Sequence, residues 1–430
     1  MLQNQPRAEQ DSPLRVCIVA ENASFRFGGE ASLPLHYFSR LRAMNIETWL
    51  IVHGRTRQEL ESLFPSEQAR IQYIPDMWYH KLIWQLSRPL PRRVSEATLG
   101  TLMVLINQFI QRGMVRRLIR DQRINLVHQP IPVSPKAPSF ISGLGVPVVI
   151  GPMNGGMDYP PAFRDSESLL TRITVAFGRS GANLVNNIIS GKKNASVLLV
   201  ANRRTQLALP ACICGQVIEI PENGVDLGVW FPLDEPSTVT DSARFLFVGR
   251  LVDWKRLDFV LQAVASIPEA QLEVIGDGPM RSTWAAKAES LGIASRVRWL
   301  GWLPQPECAQ HLSGATALLL PSIYECGGAV VLEAMACAIP VVATAWGGPA
   351  DYLDQSCGIL IDVSDLTPVD ASAILAQKFA DAMRKLTSNS ALRHQLGSAG
   401  RERVERFFDW NKKIGHILTI YRKAINEHRS

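Results

Sequence analysis

Two carboxylates eight positions apart, Glu325 and Glu333, bracket the glycine pair Gly327–Gly328 in the stretch ECGGAVVLE. Apolar runs flank them: TALLLPS lies before and AMACAIPVVAT after. Glycines at a strand-to-helix turn let backbone amides approach a ligand closely. The amides and dipole of a helix start favour an anion such as a diphosphate. Acids near an anion are electrostatically costly, and two of them make sense if each grips hydroxyls. Glu325, on the loop, would sit beside whatever the phosphates carry. Glu333, about one turn into the helix and leaning toward its start, would reach a vicinal diol such as ribose. Spacing alone fits equally well a solvated loop acid and a helix-surface charge. Two cations sharpen the pattern: VGRLVDWKRLDF sets Arg250 directly after a strand and Lys255 just before the next helix. At one sheet edge, that pair suits a departing diphosphate. The loops VIGDGPM, with Gly276 and Gly278, and TAWGGPADYL end two further strands and complete a lined cleft.

Alternating strands and helices must carry these loops. From residue 15 the chain reads as strand, glycine loop, amphipathic helix and strand, with further strands in INLVHQ, VPVVIGP, SVLLVAN and GQVIEIPENG. A second series follows the polar, proline-bearing stretch FPLDEPSTVTDSA. Its strands are RFLFVGR, QLEVIGDG, RVRWLGWL, TALLLPS and PVVATAW, and helices lie between them. Short turns marked by Gly or Pro are what α/β architecture requires. The pattern predicts a loose tail over 1–13, a Rossmann-like domain over 14–222, and a second over 223–399. A C-terminal helical segment over 400–430 is long enough to pack on either half.

The totals fit this division. With 430 residues and 47% hydrophobic content, the chain can bury two sizeable cores. No apolar leader opens it, so the sequence reads as cytoplasmic. Seven scattered cysteines, with CICG as the one close pair, read as reduced thiols rather than a zinc site. A net charge of +6 suits phosphorylated ligands, an anionic membrane or nucleic acid, and does not choose among them. The first strand is not followed by G-x-G-x-x-G, which argues against a dinucleotide-dependent oxidoreductase.

The ordered set VGRLVDWKRLD, IGDGP, RVRWLGWLP, LLLPSIYECGGAVVLEAMACAIPVVAT and GGPADYL, over about residues 244–362, resembles the retaining nucleotide-sugar glycosyltransferases of family 4. IPENGVDLGVWFP resembles that family's interdomain signature. The resemblance implies the α/β GT-B fold, two Rossmann-like doubly wound domains facing a central cleft. It also implies roles. Arg250 and Lys255 would neutralise the donor diphosphate, Glu325 would bind the sugar's hydroxyls, and Glu333 would hold the ribose. Gly249, Gly276, Gly278, Gly327, Gly328, Ala329 and Val330 would line the donor site. Gly28 and Gly29 in RFGGEA look like the glycine loop that meets donor phosphates and acceptor, and His128 looks like the family's histidine near the reacting sugar. The family usually carries an aromatic at position 327 and a larger aliphatic at 329, where this chain has Gly and Ala. The stretch GPMNGGMDYPPAF (151–163) has no counterpart in the general pattern and fits either an acceptor mouth or a connecting loop.

The implied reaction is transfer of a hexose-type sugar from a nucleotide diphosphate sugar to an acceptor hydroxyl with retention, by front-face attack. The acceptor would be a saccharide, a lipid-linked glycan or a small molecule, as in polysaccharide or glycoconjugate synthesis. No Asp-x-Asp motif is present to hold a cation, so the expectation is metal-independent activity with no cofactor beyond the co-substrate, and no nucleic-acid partner. Epimerase or phosphorylase chemistry on the same fold, and a non-catalytic sugar-nucleotide-binding or scaffold role, are the alternatives. The basic, greasy segment 88–123 suits either peripheral contact with an anionic leaflet or an ordinary solvated helix face.

Overall fold

The computed structural model describes residues 13–89, 95–166, 181, 183–232 and 243–429. The tail, Arg92 and Arg93 of the basic segment and most of the stretch 231–243 lie outside the described residues. Two parallel sheets organise the chain. The first contains β1 (Arg15–Val19), β2 (Glu47–His53), β3 (Ile71–Ile74), β4 (Leu126–Gln129), β5 (Val148–Met153), β6 (Val197–Val200) and β7 (Gln216–Glu219). Their spatial order is β3-β2-β1-β4-β5-β6-β7. The second contains β8 (Ala243–Val248), β9 (Ala270–Ile275), β10 (Val297–Gly301), β11 (Ala317–Leu320), β12 (Val341–Thr344) and β13 (Ile359–Ile361), in the order β10-β9-β8-β11-β12-β13. This is the expected pair of doubly wound domains.

Central strands are continuous apolar runs because helices cover both faces of a parallel sheet. β11 (ALLL) and β12 (VVAT) bury every residue. On β8, Phe245 and Phe247 join one core with Leu257 and Val260, while Leu246 joins the opposite core with Leu318 and Met335. Both sheets reverse winding direction at an internal pair. β1 pairs with β4 in the register Val16↔Leu126, and β8 with β11 in the register Leu246↔Leu318. Crevices at the carboxyl ends of such pairs are where open α/β folds bind ligands.

The C-terminal segment, read from sequence as one helical stretch, is two helices, Ser390–Phe407 and Trp410–Arg429. The break serves the domain crossover: Val225 N–H donates to Phe408 O (2.8 Å) and Trp410 N–H to Val225 O (3.1 Å). Beyond it, Trp410, Ile414, Ile417 and Tyr421 sink into the first domain's core beside Leu33 and Tyr37. Gly224 makes the crossing possible, because a Cβ there would stand 3.0 Å from the Trp410 ring and 3.1 Å from Phe408 O.

Candidate functional site

The two switch points supply most of the predicted residues. On the first domain, Gly28 and Gly29 follow β1 at the start of the helix Gly29–Ala43. Gly28 takes φ 102°, a conformation that favours glycine, and a Cβ on either residue would meet nothing within 4 Å. The loop therefore leaves open space above its backbone.

On the second domain, Arg250 leaves the end of β8 exposed, and its charge is felt by Glu30 of the first domain. Gly249 packs against Lys255: a Cβ there would lie 3.5 Å from the Lys255 Nζ. Lys255 ends a short turn, Asp253–Lys255, and its ammonium donates to Glu325 Oε2. Both side chains of this ion pair are mostly withdrawn from solvent, at 12% and 15% exposure. Gly276 and Gly278 have a packing part. A Cβ on Gly276 would fall 2.0 Å from Gly249 O, and one on Gly278 2.5 Å from Leu251 O. They let the β8 and β9 loops lie against each other, and so hold Gly249 and Arg250 in place.

The loop after β11 carries Glu325 and turns through Gly328 (φ 77°) into the helix Ala329–Ala336. The first bond of that turn runs from Val331 N–H to Gly328 O (2.9 Å). The preceding amides, those of Gly328, Ala329 and Val330, are the ones a helix start offers to an anion. Glu333 is half-buried one turn along, and burial pushes its carboxyl up to about 7. Thus Arg250, Lys255, Glu325, the helix-start amides and Glu333 all belong to one switch point and its helix.

His128 does not join them. It lies within β4, fully buried, with Nε2–H donating to Gly151 O (2.6 Å) and Nδ1 accepting from the Tyr421 hydroxyl (2.6 Å). Burial holds its pKa down to about 4, so the ring stays neutral. Both nitrogens are occupied, and this geometry offers neither to a sugar. The ring instead ties β4 and β5 to the C-terminal helix.

The stretch 151–163 is more than a connecting loop. It crosses from the end of β5 into the second domain, where Tyr159, Ala162 and Phe163 join the core with Phe259. Asn154 Nδ2 donates to Cys326 O (2.8 Å) beside Glu325, and also to Glu222 Oε2 (2.8 Å). The Trp346 indole N–H donates to Asp158 O (2.8 Å). Further links join the domains nearby: Arg204 pairs with Asp351 (2.9 Å) and Asn223 donates to the Tyr352 hydroxyl (3.0 Å). Sequence reasoning missed Asn154, Glu222 and Asn223. The available signal was a long Gly- and Pro-marked loop at a strand's carboxyl end.

These residues also account for Gly327. A Cβ there would stand 2.5 Å from Asn223 Nδ2 and 3.0 Å from Glu222 Oε2. The hinge side chains occupy the space that an aromatic at 327 would need. Glu222 itself is buried with its carboxyl pushed up to about 7, and the Lys413 ammonium, held down to about 7 by burial, donates to its backbone carbonyl.

Among the described residues one group has ligand types close enough for a metal: His53, Asp76 and His80, with atoms within 4.8 Å of one another. His80 already accepts from Met77 N–H (2.9 Å) and bonds Asn107 Oδ1 (2.8 Å), which leaves the cluster short of a third free ligand.

The family model described as "Glycosyl transferases group 1" matches residues 234–403, the span that carries this site. That domain belongs to the group 1 glycosyl transferases. A D-inositol 3-phosphate glycosyltransferase of Nocardioides sp. (strain ATCC BAA-499 / JS614) is 33% identical over 239 residues, covering 49% of this chain and 50% of the relative. Its counterpart from Mycobacterium marinum is 33% identical over 225 residues, covering 49% and 46%. The chain thus spans about half the length of the curated relatives it matches. Among solved structures, sucrose-phosphate synthase from Thermosynechococcus elongatus superposes with a TM-score of 0.68 at 18% identity, covering 96% of this chain and 100% of that one. Anabaena HepE in complex with UDP-glucose gives 0.62 at 15%, covering 94% and 99%. These likenesses establish the GT-B fold around the glycosyl transferase domain.

Proposed function

We propose that the protein transfers a hexose-type sugar from a nucleotide diphosphate sugar to an acceptor hydroxyl, with retention and without a metal. The observation that carries this is the gathering of Arg250, Lys255, the amides of 328–330 and Glu325 at the β8/β11 switch point. In this reading the bond between the sugar's anomeric carbon and the diphosphate oxygen breaks, and the two cations and the amides take up the charge on the leaving group. The acceptor oxygen bonds the same carbon from the same face, and its proton passes to the departing phosphate oxygen. Glu325 holds sugar hydroxyls and Glu333 the ribose diol. Neither serves as a nucleophile, since Glu325 is already paired with Lys255. Relatives named for D-inositol 3-phosphate, and a fold neighbour solved with UDP-glucose, support a nucleotide-sugar donor and a polyol or sugar acceptor.

Incubation with UDP-, GDP- and ADP-sugars, with and without acceptors, tests this by nucleotide release. Acceptor-dependent release that survives EDTA is expected. Loss of turnover in EDTA with recovery on Mn²⁺ overturns the metal-free leaving-group account, and racemising or phosphorolytic products overturn transfer.

A membrane-facing role for the first domain draws support from its surface. Trp78, Leu82, Leu86, Leu102 and Phe109 are exposed on two helices, with Arg116, Arg117 and Arg120 exposed nearby in sequence. No helix among the described residues is long and apolar enough to cross a membrane. Co-sedimentation with anionic liposomes that weakens with salt is the expected result, and indifference to both lipid charge and salt refutes it.

A further inference from the structure

Beside the glycine loop the first domain holds a cavity of about 300 Å³, bounded by Glu21, Asn22, Phe27, Glu30, Gln111 and Gln129 among others. It lies against the loop after β1, the helix Thr101–Gln122 and the end of β4, on the first domain's side of its switch point. Its floor is built of buried amides with one end tied down. Gln111, 1% exposed, donates through Nε2 to Ala20 O (2.7 Å), which leaves Oε1 with no protein partner among the described residues. Gln129, also 1% exposed, accepts through Oε1 from the Ser139 hydroxyl (2.6 Å), which leaves its Nε2 likewise unpartnered. Asn22 spends Oδ1 on Arg55 and keeps Nδ2 free. Glu30 accepts Val133 N–H on Oε1 (3.1 Å) and keeps Oε2 free. Glu21 gives one oxygen to Arg55.

The remaining groups are amide donors, amide acceptors and carboxylate oxygens. Hydroxyl groups both donate and accept, so they match this set; a phosphate only accepts. Among the described residues, no lysine or arginine lines the cavity. Two basic side chains act on its lining: Arg55 is committed to Glu21 and Asn22, and Arg250, whose charge reaches Glu30, is the cation assigned to the donor diphosphate in the reading above. The start of the helix Gly29–Ala43 would favour an anion, but Glu30 occupies its first turn and opposes one. Phe27, 52% exposed at the rim, offers an aromatic face to ring C–H groups.

We propose that this cavity, at the glycine loop where the family resemblance already implies the acceptor, selects an uncharged, hydroxyl-rich ring, a polyol or sugar, over its phosphorylated form. The proposal rests on the transferase reading above for the word acceptor, and its selectivity stands on the cavity's own chemistry. Like charges brought together at a binding site weaken it strongly.

Ligand-observed NMR titration of the full chain tests it with two matched pairs: myo-inositol against inositol 3-phosphate, and methyl α-glucoside against glucose 6-phosphate. The uncharged member is expected to bind at least about tenfold more tightly in each pair. Glu30→Gln should narrow that gap severalfold. Gln129→Leu and, as a rim variant that spares the core, Phe27→Ala should weaken the uncharged ligand while leaving UDP-glucose affinity in place. Equal or tighter binding of the phosphorylated members overturns the proposal, as does an unchanged gap in Glu30→Gln. The two readings fail separately. Nucleotide release that a phosphorylated acceptor stimulates best sinks only the subsite. Absence of release from every donor sinks the transferase reading, while the NMR preference still reports on the cavity.

Discussion

Lys255 and Glu325 touch, and this contact admits two explanations that a double-variant cycle separates. If the pair is only a structural ion pair, Lys255→Met strands a carboxylate that is 15% exposed, and Glu325→Gln strands an ammonium that is 12% exposed. Each single change then costs stability, on the order of 1–3 kcal/mol for a pair so placed, and the double variant recovers most of it. Activity would follow stability back. The proposed chemistry predicts otherwise. Lys255 carries charge on the departing diphosphate, and removing one such stabiliser costs about 10²–10³ in kcat, or roughly 2.7–4 kcal/mol. Glu325 holds sugar hydroxyls through charged hydrogen bonds worth about 1.5–3 kcal/mol, so Glu325→Gln alone should lower kcat/KM by roughly ten- to a hundredfold.

The decisive measurement is the double variant, assayed by acceptor-dependent nucleotide release and by urea denaturation in parallel. Stability should return toward that of the unmodified protein, and the rate should remain down by at least about 10². A double variant whose kcat recovers together with its stability would show that the two side chains serve only each other. The leaving-group role of Lys255 would then be wrong.

Four further outcomes follow from the geometry. Glu333 has its carboxyl raised to about 7 by burial; if the ribose diol binds the carboxylate, UDP-glucose should bind more tightly as pH rises from 6 to 8, and Glu333→Gln should flatten that slope, which isothermal titration at several pH values reads. The same raised pKa favours the folded state below the unfolded value near 4.5 and loses that contribution as pH passes 7, so Glu333→Gln should stabilise the protein more at pH 8 than at pH 5. Phe163, 5% exposed and set 6.0 Å from the Phe259 ring, anchors the strap to the second domain; Phe163→Ala should cost about 3–5 kcal/mol and turn a single unfolding transition into two, as calorimetry would show. Gly327→Ala drives a Cβ to within 2.5 Å of Asn223 Nδ2 and disturbs its bond to Tyr352; a loss of about 1–3 kcal/mol in urea denaturation is expected, and unchanged stability would refute the packing account of this glycine.

Much of the fold was legible because the central strands are apolar runs, and several of them, among them β2, β8, β9 and β11, end in a Gly- or Pro-marked turn that leads into a helix. β3 (IQYI) and β13 (ILI) escaped notice, being edge strands of four and three residues with little periodicity to detect. The break at Phe408–Asp409 was hidden for another reason: helix propensity continues across it, and what interrupts it is Val225, far away in sequence. The site shows the same division. Arg250, Lys255, Glu325 and Glu333 stand in local strand–loop–helix units, so spacing placed them together. His128 resembles the family's histidine near the reacting sugar, and only the tertiary positions of Tyr421 and Gly151 reveal that both its nitrogens are taken. Asn154 and Glu222 act across a domain boundary, which no local pattern encodes.

That boundary is also where the two halves of the chemistry become one. The loop bearing Glu325 is not held by its own domain alone. Gly348 N–H fixes Glu325 O from within the second domain (2.7 Å), and Asn154 fixes Cys326 O from the first. Asn154 in turn bonds Glu222 at the hinge, and Lys413 on the returning C-terminal helix bonds the carbonyl of that same glutamate. The loop of Glu325, the hinge and the returning helix are therefore links in one hydrogen-bonded chain. A shift of one domain against the other must be felt at Glu325, because a buried bond from Asn154 cannot stretch without leaving Cys326 O unsatisfied. In the proposed reaction, closure of the two domains and the geometry of the Glu325 loop would therefore change together, and the same closure would exclude water.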